Sequence, residues 1–463
     1  MWVAYRSSFC LMASMVRTGA VSPVELVQAH LEQIERRNPA INAFVMILAE
    51  SALAEARACE AAVHRGEPLG LLHGVPVTVK DSFDIAGLPT NCGSRLRVGN
   101  RAAADAAAVA LLRREGAVIL GKTNTPEFLA SYETDNFLTG RTNNPWDPER
   151  TSGGSSGGEA AAIATFCSPG GLATDGGGSI RVPAHFCGIA GLKPTPGRIP
   201  ASGHFPSLGH PAGVVTAPGP MARTAEDLRL LFAALAAYDP QDAFSVPVPP
   251  HEVPAAKPRV FVWPRFYDVP VSPDVENAIT RAQSLLASAG FALEEFRPAG
   301  LERAPNVWAF LFSKWPAPIT RKMVEGHEAD VHWTLAESIS LATPTGEEVA
   351  IHLAMRDRLR ASFLRQLPED AVVLLPVCSV AAFSHRQRRF AMPGTEIGLF
   401  QAMMPAVLAN VLGLPAVTVP IFKNREGLPI GVQFMGRPFT DELLLDVAVR
   451  LEARRGPWAV AEP

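Results

Sequence analysis

Two glycine-framed serines mark the part of this 463-residue chain best suited to chemistry. Residues 151–181 read TSGGSSGGEAAAIATFCSPGGLATDGGGSIR. Gly153, Gly154, Gly157 and Gly158 bracket Ser155 and Ser156, and Gly176, Gly177 and Gly178 run straight into Ser179. Glycine loses more backbone freedom on folding than any other residue, so two such runs argue for backbone that must approach something closely. The same composition also suits two flexible surface loops, and these residues alone do not separate the readings.

The elements that must hold the serines alternate between helix and strand. Residues 159–164, between the two glycine runs, are small and read as a short helix. Residues 22–37 form a well-signalled helix, with Ser22 as cap, Pro23 at the first position and Glu25 completing a capping box. Residues 50–64 read as a second helix and 71–83 as a strand, with Val75, Val77 and Val79 on one face and Pro76, Thr78 and Lys80 on the other. A lysine ending such a strand is ordinarily a surface charge or half of an ion pair with its neighbour, here Asp81.

Helices follow at 105–115 and 223–237, and strands at 117–121 and 188–193. A proline-rich connection at 239–257 leads to a strand at 259–263 and helices at 272–289 and 346–366. Segments 371–377, 416–420 and 430–436 read as buried strands, the last beside a sheet edge, and 440–454 as the closing helix. Trp308, Phe310, Phe312, Trp315 and Trp333 crowd 300–345, either as helix packing or as the apolar wall of a pocket. The alternation predicts an α/β fold with one large sheet and helices on both faces.

Composition narrows the function. A net charge of −3 and pI of about 6.4 leave no basic footprint for nucleic acid. Six scattered cysteines without CxxC spacing suggest neither a disulfide framework nor a zinc site, and fit a reducing cytoplasm. The N-terminal apolar run is broken by Ser7, Ser8 and Ser14 and reads as the start of a helix, not a signal peptide. The long apolar stretch 402–422 carries Pro405, Asn410, Pro415 and Pro420, which suits a buried helix followed by a strand better than a membrane span.

Two short motifs match only by letter. Residues 116–123 fit G-x-x-x-x-G-K-[ST], but Val118, Ile119 and Leu120 favour an extended ladder over a phosphate-cradling turn. Residues 153–157 fit G-x-S-x-G, but the preceding segment, with Pro145 and Pro148, is loop chemistry and not the strand a nucleophile elbow requires.

The 151–181 stretch resembles the signature of the amidase signature family, and the likeness extends beyond it. GVPVTVKD at 74–81, GKTN at 121–124, CGIAGLKPT at 187–195 and GLPIGVQFMG at 427–436 resemble the family's flanking segments. The likeness covers roughly 15–235 and 370–455 and is loose over 240–365. It implies a single domain over 1–463, with a signature core at 70–200, a pocket-shaping variable region at 240–365, and a large mixed, mostly parallel sheet. It further implies a catalytic Ser–cis-Ser–Lys set: Ser179 as nucleophile, Ser155 as bridging serine after a cis bond, and Lys80 as base.

The backbone N–H groups of Gly176, Gly177, Gly178 and Ser179 would form the oxyanion hole. Ser131 and Thr151 would reach substrate or the serine loop, and Asp175 and Arg181 would pair to hold the loop. Such an enzyme needs no metal or cofactor, and its partner is a small-molecule amide, without nucleic acid or membrane; a homodimer is compatible with it. Hydrolysis of a carboxylic amide is the leading expectation. The alternative is the glutaminase component of a tRNA-dependent amidotransferase, which shares the triad. That component has a Tyr-rich segment ahead of its last strands, whereas this chain has no tyrosine beyond Tyr267.

Overall fold

The computed structural model describes residues 4–459 and 461. In chain order the strands are β1 (Phe44–Ile47), β2 (Pro76–Lys80), β3 (Val118–Thr123), β4 (Gly170–Asp175), β5 (Ala190–Lys193), β6 (Ala217–Ala222), β7 (Arg259–Val262), β8 (Leu293–Glu295), β9 (Ala371–Pro376), β10 (Arg389–Met392), β11 (Thr395–Gly398), β12 (Ala416–Lys423) and β13 (Pro429–Met435). Eleven of them form one sheet in the order β1-β3-β2-β4-β6-β5-β12-β13-β9-β7-β8, and β10 and β11 form a separate hairpin.

Helices cover both faces. The first are α1 (Phe9–Arg17), α2 (Pro23–Ile41), α3 (Ala49–His64), α4 (Ala107–Arg114), α5 (Gly157–Ala164), α6 (Arg181–Cys187) and α7 (Ala225–Leu235). They are followed by α8 (Pro273–Ser288), α9 (Ala304–Ala309), α10 (Ala317–Met323), α11 (Trp333–Ile339), α12 (Gly346–Gln366), α13 (Leu399–Val411) and α14 (Asp441–Arg455). The largest apolar cluster joins α1, α4, α7, α8 and α14 to Val75, Val77, Val79, Val432 and Phe434 on one face of the sheet. On the opposite face α5 and α6 pack over Ala173 and Met221, and α9, α12 and α13 pack over Val373, Leu375 and Met435.

The mixed sheet sandwiched by helices agrees with the expectation, but its balance differs. Among the described residues six strand pairings run antiparallel and four parallel, so a parallel majority is not found. Strand β4 and its antiparallel partner β6 account for part of this. Their sequences, GGLATD and APGPMA, carry the residues that ordinarily punctuate turns. Proline survives in β6 because β5 pairs only with Met221 and Ala222, leaving Pro218 and Pro220 where β6 has no second ladder to lose. Strand β13 also departs from expectation: it lies between β12 and β9, well inside the sheet. Its residues are buried throughout, as an interior strand requires.

Candidate active site

The alternation of β2 aims the valines at one core and turns Thr78 and Lys80 to the face carrying α5. Lys80 is completely buried. Its Nζ donates to Ser155 Oγ at 2.8 Å, Ser156 Oγ at 2.8 Å and Thr174 Oγ1 at 3.1 Å. Among the described residues it makes no ion pair; Asp81 pairs instead with Lys122 Nζ at 2.8 Å. Burial drives the Lys80 amine down to about 7, against the smaller opposing pull of Cys92, Asp175 and Glu159. A buried amine loses hydration of its charged form, so the neutral base becomes accessible near neutral pH.

Ser155 and Ser156 sit at the mouth of α5, after a cis Gly154–Ser155 peptide bond. The Ser156 hydroxyl donates to Thr174 O at 3.4 Å. Its proton is therefore engaged, and it can only accept from Lys80. A neutral lysine amine has two hydrogens and one lone pair, which leaves the lone pair for the Ser155 or Thr174 hydroxyl.

Ser179 follows β4 across the glycine turn and precedes α6. It lines one cavity, of about 110 Å³, with Ser155, Thr174, Gly176, Phe312 and Pro316. A second cavity of about 140 Å³ meets the first at Ser179 and is walled by Tyr132, Gly177 and Trp308. Among the described residues the Ser179 side chain has no hydrogen-bond partner, while its backbone carbonyl accepts from Ser156 N–H at 3.2 Å.

The loop is held from beneath by a buried polar network. Asp175 accepts from Arg181 Nε and Nη2, each at 2.9 Å, and from Asn410 Nδ2 at 2.9 Å. Arg181 also donates to Gln433 Oε1 at 2.8 Å and Asn410 Oδ1 at 2.6 Å. Burial alone would raise the Asp175 carboxyl; the guanidinium and these hydrogen bonds outweigh it and hold it below the ordinary carboxylate range.

The sequence-expected residues fall into distinct places. Lys80 is hydrogen-bonded to Ser155, Ser155 and Ser179 line one cavity, and Asp175 pairs with Arg181. Of the three glycines, Gly178 is a correction: its N–H donates to Asp175 Oδ1 at 2.7 Å and is already spent. The N–H groups of Gly176, Gly177 and Ser179 donate to nothing among the described residues. Of the two contacts expected of Thr151, substrate or the serine loop, it makes the second, since it lines neither cavity. Its hydroxyl accepts from Gly153 N–H at 3.0 Å, shaping the serine loop. Ser131 does line the second cavity.

Tyr132, Thr174, Asn410 and Gln433 were not found from sequence. Asn410 and Gln433 each stand alone among apolar neighbours in buried elements, and that isolation was the available signal. His204 shares the first cavity, but burial drives its imidazole down to about 3 and Nδ1 is tied to Pro206 O, which does not suit a general base. No group of three or more His, Cys, Asp or Glu side chains among the described residues is placed to hold a metal ion. No helix among them is long and apolar enough to cross a membrane.

The chain is similar to known proteins in sequence and fold. The model of the Amidase family matches residues 25–445. An indoleacetamide hydrolase of Bradyrhizobium diazoefficiens is 34% identical, over 96% of this chain and 86% of the relative. A glutamyl-tRNA(Gln) amidotransferase subunit of Methylococcus capsulatus is 32% identical over 97% of both chains. The crystal structure of a bacterial aryl acylamidase of the amidase signature family superposes with a TM-score of 0.87 at 26% identity, covering 98% of this chain and 96% of that one. The chain belongs to the amidase signature family of hydrolases, enzymes that act on carbon–nitrogen amide bonds.

Proposed function

We propose that this protein hydrolyses a small carboxylic amide with an apolar, aromatic-sized acyl group, through an acyl-Ser179 intermediate. The observation that carries the reading is the Lys80 amine: fully buried, free of any carboxylate partner among the described residues, and 2.8 Å from Ser155 Oγ. Neutral Lys80 takes the Ser155 proton as Ser155 takes that of Ser179, and Ser179 Oγ bonds to the amide carbon. The proton returns by the same route to the leaving nitrogen as the carbon–nitrogen bond breaks. Water then loses a proton to the relay, attacks the ester and releases the carboxylate and Ser179.

The N–H groups of Gly176, Gly177 and Ser179 supply the oxyanion contacts in this reading, each worth about 3–4 kcal/mol of transition-state stabilisation. The variable region 240–365 shapes the pocket: Trp308, Phe312 and Pro316 give it apolar walls. The indoleacetamide hydrolase and aryl acylamidase relatives point to the same acyl class. A cytoplasmic setting goes with it, since all six cysteines are free.

The amidotransferase relatives favour a second reading, glutaminase action in a larger assembly. Against it, α12 turns Arg356 and Arg360 to the backbone carbonyls of Val214 and Leu412 and brings no tyrosine to the cavities. A panel of aryl, aliphatic and glutamine amides, assayed for ammonia with wild type and Ser179→Ala, tests both. Aryl amides are expected to be hydrolysed fastest and the variant to be inactive. Preference for glutamine over every aryl amide would establish the second reading, and full activity of the variant would refute the nucleophile.

A further inference from the structure

The glycine turn is gripped from above as well as below. The indole of Trp308 donates through Nε1 to Gly176 O at 2.6 Å, and the Tyr132 hydroxyl donates to Gly177 O at 2.9 Å. Burial pushes the Tyr132 phenol well above its ordinary range, so it stays a donor at working pH. The Trp308 ring stacks on Phe312 at 4.9 Å and lies 6.3 Å from Phe400, which fixes its plane. A Cβ at Gly177 would overlap the Trp308 ring, so glycine there admits the indole itself.

A trans peptide is planar, with its carbonyl and N–H pointing in opposite directions. Fixing one end therefore fixes the other. The Gly177–Gly178 peptide is tied at both ends, its carbonyl to Tyr132 and its N–H to Asp175 at 2.7 Å. The Gly176–Gly177 peptide is tied only at its carbonyl, by Trp308. Its N–H is left unused among the described residues and held opposite the indole.

We propose that Trp308 is a positioning residue that orients the Gly177 N–H toward the developing oxyanion. The proposal rests on Ser179 being the nucleophile. Because Trp308 also walls the second cavity, contact with substrate and alignment of the oxyanion donor share one side chain.

The test uses a fluorophosphonate, which needs no knowledge of the natural amide. Ser179 Oγ bonds to phosphorus, fluoride leaves, the Ser179 proton passes to Lys80, and the phosphoryl oxygen occupies the oxyanion position. Trp308→Phe keeps a stacking ring and loses the N–H; Tyr132→Phe loses only the hydroxyl on the other peptide. Trp308→Phe is expected to slow labelling of Ser179 tenfold to a hundredfold, below the 10²–10³ expected for losing a donor outright, whereas Tyr132→Phe, whose peptide stays tied to Asp175, serves as the control and should slow it less than about threefold. The acid limb of the pH–rate profile, set by Lys80 at about 7, should stay in place, and on a turned-over aryl amide kcat should fall by more than KM changes. Labelling of Trp308→Phe at the wild-type rate, an equal loss in both variants, or a loss confined to KM overturns the proposal. Absence of label from Ser179 in the wild type would instead refute the nucleophile on which it rests.

Discussion

Strands β2 and β3 lie side by side and parallel, with Pro76 opposite Val118 and, past a register shift between Val77 and Thr78, Lys80 opposite Thr123, and each carries a lysine with no exposure to solvent. The two amines live in opposite company. Lys122 has the Asp81 carboxylate at 2.8 Å, with Pro89 O at 2.8 Å and Thr90 Oγ1 at 3.0 Å. Lys80 has three hydroxyls and, among the described residues, no carboxylate partner. Burial with a counter-charge makes a structural ion pair; burial among neutral hydroxyls makes a base. Asp81 follows Lys80 in sequence, yet it serves the lysine on the neighbouring strand, because consecutive strand residues point to opposite faces.

Exchanging the two lysines for methionine should separate the roles. Lys80→Met is expected to lower kcat on an aryl amide on the order of 10⁴-fold, as loss of a triad base does, with the melting temperature held or raised because no buried charge is stranded. Lys122→Met leaves Asp81 buried and unpaired, and should cost about 3–5 kcal/mol in chemical denaturation. If Lys80→Met destabilised the fold as severely as Lys122→Met, the contrast between base and ion pair would collapse.

A smaller effect concerns pH. The base must be neutral to act, and burial sets Lys80 at about 7. So kcat/KM should be full above that value and fall tenfold per unit as pH drops below it; a profile flat from pH 5 to 9 would exclude Lys80 as the base. Ser156→Ala removes one of the three hydroxyls around Lys80 and should cost the least, about threefold to tenfold in kcat, in line with a net hydrogen bond of about 0.5–1.5 kcal/mol.

Much of this was legible in the sequence, and the remainder was hidden for identifiable reasons. The valine alternation of β2 gave the face of Lys80, and the capping box at Ser22 and Glu25 is formed as expected. The glycine-framed serines could be singled out, but their separate roles needed the family resemblance. Strand β4 was missed because Gly170 and Gly171 look like a turn; in the fold, a Cβ at Gly171 would overlap Thr78 O and the Glu159 carboxylate, so packing demands the glycine. Gly178 could not be struck from the oxyanion set in advance, because the direction of its N–H depends on Asp175, a contact made by tertiary folding. Tyr132 and Trp308 showed no local pattern tying them to the glycine turn, since their partners there are main-chain carbonyls that carry no residue identity.

The network under Asp175 bears on how such a chain is made. Arg181 draws its other partners from Asn410 and Gln433, 229 and 252 positions downstream. A ribosome delivers the three reacting side chains long before it delivers those two. Nascent chains still short of β13 would therefore carry every reacting group on an unbraced loop, and hydrolytic competence should appear only once translation is nearly complete.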